Sequence, residues 1–262
     1  MNPKLSTRFQ GKINRDMEVH GLYLELFLEV SREVNMRAVL KGNILLNQIL
    51  PDTARSTKDI DFDILSEEDY NEIVVPLLTK FGETAIATGT ADSYDIREIQ
   101  TNRSGGIVIY NRGSSVYEAD IALSPNGIFG ATKYTFNGEY AYGSTIEKIM
   151  SDKTVTTLSK RRLRRAKDFY DLYIILTSSI VYDINKVYER ILSQISYDQL
   201  EELLSSFPFS DEEVSGLTTA WNKLTVYNVL RNEEMQKPEI AALLNTVYRY
   251  YRNLRVVARR LK

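Results

Sequence analysis

The chain has no cysteine and a single histidine among its 262 residues. The first absence excludes disulfides, thiolate metal sites and cysteine nucleophiles. The second leaves no set of imidazoles for a zinc centre and weakens any reading as a Ser-His-Asp hydrolase. His20 falls in a helical stretch, where an ordinary helix-face role is the expectation. No long apolar run is present either. The first residues, MNPKLSTRFQGK, lack the hydrophobic stretch of a secretory signal, and nothing reaches the length of a membrane span. The expectation is a cytoplasmic protein without a membrane partner. An excess of charge is missing as well. With 33 Lys and Arg against 35 Asp and Glu the formal charge is −2, so any nucleic-acid surface must come from local clustering of cations.

What remains is the balance of a folded protein, 43% hydrophobic and 26% charged. Periodicity predicts a helix over 14–34, a strand over 36–40 and a short helix over 44–50 ended by Pro51. A strand over 59–65 and a helix over 66–81 follow, then strands over 94–101, 106–111, 115–123 and 133–140. Beyond Gly143 the pattern turns helical. Ser144-Thr145-Ile146-Glu147 reads as a capping box, with further helices over 162–178, 183–194, 197–205, 210–230 and 238–261. The fold class is therefore α+β, divided into a mixed-sheet domain over 1–143 and a helical domain over 144–262.

The chemistry concentrates in a few places. Asp59 and Asp61 stand two apart on one strand, so both carboxylates share a face, with Asp63 further along it. Paired carboxylates repel unless a cation lies between them, and hard oxygen ligands suit Mg²⁺. A solvated edge strand would show the same alternation. Upstream, Lys41-Gly42-Asn43 joins a strand to a helix, where glycine permits close backbone approach and the helix N-terminus can receive phosphate. Downstream, Asp120 and Glu118 compete as a third acid on a later strand. In the helix opened near Ser144, Lys153 falls on the stripe of Ile146, Ile149 and Met150, whereas Lys148 lies off it. An inward lysine needs an anion or a route to solvent: Asp168 or Asp171 on the next helix could pair with it, or it could snorkel along apolar surface to water. The basic stretch Lys160–Lys167 and the interleaved Tyr248–Arg255 run fit either nucleic acid or ordinary helix surfaces.

Taken in order, Lys41-Gly42-Asn43, then Arg55-Ser56-Thr57-Lys58-Asp59-Ile60-Asp61-Phe62, then Lys153 and Arg165-Ala166-Lys167-Asp168-Phe169-Tyr170-Asp171-Leu172, the chain resembles the polymerase-beta-like nucleotidyltransferase superfamily. Within it the resemblance is to the AbiEii/AbiGii-type toxins, over about residues 36–176. Asn43 departs from the second Gly or Ser of the family's turn, and Ala166-Lys167 interrupts its Arg-Asp pair. The resemblance implies a nucleotidyltransferase-like mixed sheet with flanking helices, and a helical domain that completes the active site. It implies one or two Mg²⁺ ions on Asp59, Asp61 and Asp120. Lys41, Gly42, Asn43, Arg55 and Thr57 would bind the nucleotide, and Lys153, Asp168 and Asp171 would join Asp59 and Asp61 in catalysis. NMP would pass from an NTP to an acceptor hydroxyl, on RNA such as tRNA, in a toxin of a toxin–antitoxin or abortive-infection system with an antitoxin partner. A small-molecule, antibiotic-type nucleotidyltransferase and a non-catalytic RNA- or protein-binding module are the alternatives.

Overall fold

A computed structural model describes residues 7–51, 53–55, 57, 59–66, 70–99, 104–124, 130–136, 139–159, 165–223 and 238–261. They form two compact units. The first holds Ser6–Pro51 and Ser56–Ser144; the second holds Thr145–Lys262 together with Asp52–Arg55.

In the first unit, helices α1 (Thr7–Glu33), α2 (Gly42–Ile49) and α3 (Tyr70–Ala87) accompany seven strands. These are β1 (Ala38–Lys41), β2 (Asp59–Leu65), β3 (Ser93–Ile99), β4 (Ser104–Asn111), β5 (Ser114–Ser124), β6 (Ala131–Phe136) and β7 (Glu139–Ser144). The sheet order is β3-β4-β5-β2-β1-β7-β6. The β2–β5 and β1–β7 pairs are parallel and the others antiparallel, so the mixed sheet expected from the sequence is observed. Alternation along β2 decides its two faces. Ile60, Phe62 and Ile64 are fully buried, and Phe62 stacks on Phe27 of α1 with ring centroids 4.4 Å apart. Phe81 of α3 meets Phe27 edge-on at 5.3 Å. Burial of such side chains contributes roughly 1.5–3 kcal/mol each, and this locks the register that turns Asp59, Asp61 and Asp63 to the other face. His20 is buried beside the Tyr117 ring at 5.8 Å, a packing role.

The second unit contains α4 (Ile146–Leu158), α5 (Ala166–Thr177), α6 (Ile184–Leu192), α7 (Tyr197–Ser205), α8 (Asp211–Lys223) and α9 (Ile240–Arg260). Two hydroxyl pairs tie α4 to α9: Thr154 to Tyr250 at 2.8 Å and Thr157 to Tyr251 at 2.6 Å. Both tyrosines are buried. Tyr250 and Tyr251, from the interleaved Tyr248–Arg255 run, thus serve helix packing.

The structure corrects several sequence expectations. Helix α1 begins at Thr7, well before residue 14. The run read as one strand over 133–140 is two strands, β6 and β7. Ser144 is the last residue of β7, paired with Ala131, so it cannot cap the helix. Thr145 is the N-cap, accepting from the Lys148 N–H, and Glu147 accepts instead from the Asp183 N–H at 3.2 Å. Helix α3 runs on to Ala87 rather than ending at Phe81. Lys148, off the apolar stripe, is nonetheless buried, its ammonium 2.5 Å from Asp152 one turn on. Residues 160–164 of the basic stretch and 224–230 of the expected 210–230 helix lie outside the described residues.

Candidate active site

The acids of the sheet are sorted by what they touch. On β2 burial deepens from the strand's start, with Asp59 exposed, Asp61 half-buried and Asp63 buried. Asp63 is neutralised by the Lys41 ammonium of β1 at 2.5 Å. Lys41, expected at the nucleotide, is thus engaged with a neighbouring acid. On β5, Glu118 lies 3.2 Å from the Arg97 guanidinium and accepts from the Ser115 hydroxyl at 3.2 Å. Asp59 and Asp120 differ. Among the described residues neither carboxylate has a hydrogen-bond or ion-pair partner in the protein.

Strand register brings these acids together. In the parallel β2–β5 pair Asp61 stands opposite Asp120 and Asp59 opposite Glu118, and opposed residues project to the same side. Although Asp120 is exposed by area, protein atoms still crowd its carboxyl. Its pKa is raised, first by that desolvation and next by the negative charge of Asp59. Two glycines make room. A side chain at Gly106 of β4 would meet the Ala119 carbonyl at 2.5 Å and the Asp120 Oδ1 at 2.9 Å. One at Gly42 would collide with the Asp61 Oδ2. Gly42 also has φ +69°, a left-handed conformation that side chains resist. It opens α2, whose first-turn Asn43 is buried and gives its carbonyl to the Asn47 amide at 2.9 Å. A helix N-terminus, with its outward N–H groups, therefore sits directly beside the Asp61 carboxylate. Thr57 braces the approach to β2, its hydroxyl donating to the Asp59 carbonyl at 3.2 Å and accepting from the Asp59 N–H at 3.3 Å.

Gly42→Ala should both strain the backbone and displace the Asp61 carboxylate. Strain of this kind costs about 1–3 kcal/mol. The expected result is a lower unfolding midpoint with transfer activity reduced by more than tenfold; unchanged activity would show that the Asp61 position is not critical.

A second set of charges is buried in the helical unit. The Lys153 ammonium lies 2.6 Å from Asp168 and 2.8 Å from Asp171. Arg55 grips Asp171 with two bonds, Nε to Oδ1 at 2.9 Å and Nη2 to Oδ2 at 3.1 Å. Arg165 approaches the other Asp168 oxygen at 2.6 Å. Burial alone would lower the Lys153 pKa, but Asp171 and Asp168 outweigh it and the value is raised. Burial alone would raise the Asp171 pKa, but Arg55 and Lys153 outweigh it and the value is lowered. Arg55, expected at the nucleotide, has its guanidinium committed at two nitrogens to Asp171. No sequence pattern signals that pairing, because the two residues are 116 positions apart.

The family model for the AbiEii nucleotidyl transferase toxin of type IV toxin–antitoxin systems matches residues 30–225. The chain belongs to the AbiEii nucleotidyltransferase toxin family. Nucleotidyl transfer is accordingly its activity. By sequence no curated protein matches it. By structure it is similar to JHP933 of Helicobacter pylori, at 15% identity over 92% of this chain and 94% of that one, TM-score 0.53. A putative nucleotidyltransferase of H. pylori is similar at 14% identity over 93% and 96%, TM-score 0.52. At these identities the likeness is one of fold. It extends beyond the segment that matches the AbiEii family, and no helix among the described residues of this AbiEii-family chain is long and apolar enough to cross a membrane.

The donor set of the sheet unit fits Mg²⁺ in chemistry: oxygen ligands only, on one face, with two carboxylates that no protein cation neutralises among the described residues. Among those residues no three acidic or imidazole side chains converge as a ready cage. Mg²⁺ is commonly held by one or two carboxylates plus substrate phosphate oxygens, so a cage of three protein ligands is not a requirement of its chemistry.

Proposed function

We propose that this chain moves the NMP of an NTP onto a hydroxyl of RNA, tRNA being the leading candidate, as the toxin of a pair neutralised by an antitoxin protein. The observation that carries the reading is the apposition of Asp61 and the Gly42 turn, with the Asp59 and Asp120 carboxylates on the same face and without a partner among the described residues. That arrangement serves a polyphosphate arriving with its cations.

In this mechanism Gly42 and Asn43 present the start of α2 to the triphosphate. Asp59, Asp61 and Asp120 would hold Mg²⁺, which when bound would offset the triphosphate charge and lower the pKa of the acceptor hydroxyl. The acceptor oxygen attacks the α-phosphorus in line, the bond to the bridging oxygen of pyrophosphate breaks, and the hydroxyl proton leaves to solvent or a carboxylate. The protein contributes position and charge rather than a covalent intermediate. Lys153, fixed by Asp168 and Asp171, is proposed to serve the triphosphate, and the helical domain to complete the catalytic one. A cytoplasmic location and a role in abortive infection belong to the same reading.

The test is incubation with each labelled NTP, Mg²⁺ and total cellular RNA. Label migrating with RNA in one NTP lane is expected. Label on a small molecule alone, or on the protein alone, overturns the RNA reading.

A further inference from the structure

The face of the sheet that carries the acids continues to a second cluster. Tyr142 of β7 is the register partner of Val39, and Val39 is that of Asp63. Opposed residues share a side, so Tyr142, and Tyr140 two residues before it, project from the same face as Asp59 and Asp61. From strand spacing and rise these tyrosines stand roughly 12 and 16 Å from Asp61. Both are exposed, Tyr140 at 62% and Tyr142 at 41%, which is unusual for large aromatic side chains among the described residues. Each carries a cation on its ring. The Arg37 guanidinium lies 4.5 Å from the Tyr142 centroid, and the Lys133 ammonium 4.0 Å from that of Tyr140.

We propose that Arg37, Lys133, Tyr140 and Tyr142 form a platform for single-stranded RNA, holding nucleotides of the acceptor away from the reacting end. Exposed rings offer stacking surface to any base, and a cation beside each ring meets the phosphates that alternate with the bases. The four side chains carry two positive charges and no negative one, on a chain whose formal charge is −2. A slightly negative overall charge therefore coexists with a local basic and aromatic patch, continuous in the sheet with the acids of β2. The same chemistry disfavours a second copy of this chain, which would bring like charge to like. The role of the platform in transfer rests on RNA being the acceptor; binding itself does not.

The experiment uses the full chain and a short fluorescein-labelled single-stranded RNA of mixed sequence, titrated by anisotropy. Tyr140→Ala/Tyr142→Ala should weaken binding roughly tenfold or more, and Tyr140→Phe/Tyr142→Phe should bind like the parent, because the ring is what stacks. Arg37→Gln and Lys133→Gln should each reduce the salt dependence of binding by about one unit of slope. All four side chains are exposed, so unfolding midpoints should stay put. Equal RNA binding by the alanine pair, or no RNA binding by the parent, overturns the proposal. So does light scattering that shows a parent dimer dissociated by the alanine pair with RNA affinity unchanged, which would make the patch a self-association surface. If RNA binds through the tyrosines but never receives NMP, the acceptor reading fails and the platform stands. If RNA is labelled normally by the alanine pair at all RNA concentrations, the platform fails and the acceptor reading stands.

Discussion

Asp59→Ala and Asp61→Ala should each lower nucleotidyl transfer by at least about 100-fold, the scale on which removal of one charge-stabilising group acts in a preorganised site. The fold should survive both changes. Ile60, Phe62 and Ile64 on the opposite face hold β2 in place, while Asp59 is exposed and Asp61 half-buried. Asp59 also helps to raise the pKa of Asp120, so its removal relieves repulsion and should leave the unfolding midpoint equal or slightly higher. Asp63 supplies the contrast on the same face. It is buried against Lys41, so Asp63→Ala should act on stability first. Labelled-NTP transfer measured beside chemical denaturation separates the two patterns. Parental transfer rates in the Asp59 and Asp61 variants would remove the metal assignment.

The largest stability effect is expected at Asp171. Its side chain has no exposure and faces both Lys153 and Arg55. Asp171→Ala would remove the buried carboxylate that Arg55 and Lys153 share, and breaking a buried pair in this way costs about 3–5 kcal/mol. A loss below about 1 kcal/mol in denaturant titration, the scale of an exposed pair, would show that water reaches the cluster. The same cluster fixes a pH profile. The Asp171 pKa is lowered in the fold, so its contribution is present above the ordinary carboxylate value near ~3.9 and disappears as pH falls through the lowered one. The Lys153 pKa is raised, so its contribution is complete below the ordinary value near ~10.4 and disappears as pH rises through the raised one. The cluster therefore supports the fold across the neutral range and withdraws at both extremes.

Strand β2 is legible in the sequence because its acids and apolar residues alternate without interruption over Asp59–Ile64. The capped helix α7 is legible for a similar reason, Ser196 and Gln199 closing a capping box at its start. The β6–β7 boundary carries a signal that a single strand over 133–140 overlooks. Asn137-Gly138 is a strong hairpin dipeptide, and it sits between the two strands. Ser144 misleads because Ser and Thr stand side by side, and only the ladder to Ala131 decides which of them is free to cap. The division of labour among the acids cannot be read at all. Asp59, Asp63, Glu118 and Asp120 look alike in a strand pattern; their difference lies in whether Lys41 or Arg97 reaches them across the sheet. Tyr140 and Tyr142 likewise look like core residues by composition, and only their position near the sheet's edge strand leaves them open.

The segment Asp52–Arg55 belongs to the helical unit although the chain on either side of it belongs to the unit that holds the sheet. Arg55 brings its guanidinium to Asp171, and Thr53 gives its carbonyl to the Tyr170 hydroxyl at 2.8 Å. A polypeptide beginning at Thr145 would therefore lack a counter-ion and a hydrogen-bond acceptor for its own interior, however complete its helices. Expressed alone it should recover when a peptide spanning those four residues is added. For recombination the boundary that looks clean along the gene is not clean in the protein: an exchange at that point keeps both halves sound only when the donor of the helices also donates the segment between Pro51 and Ser56.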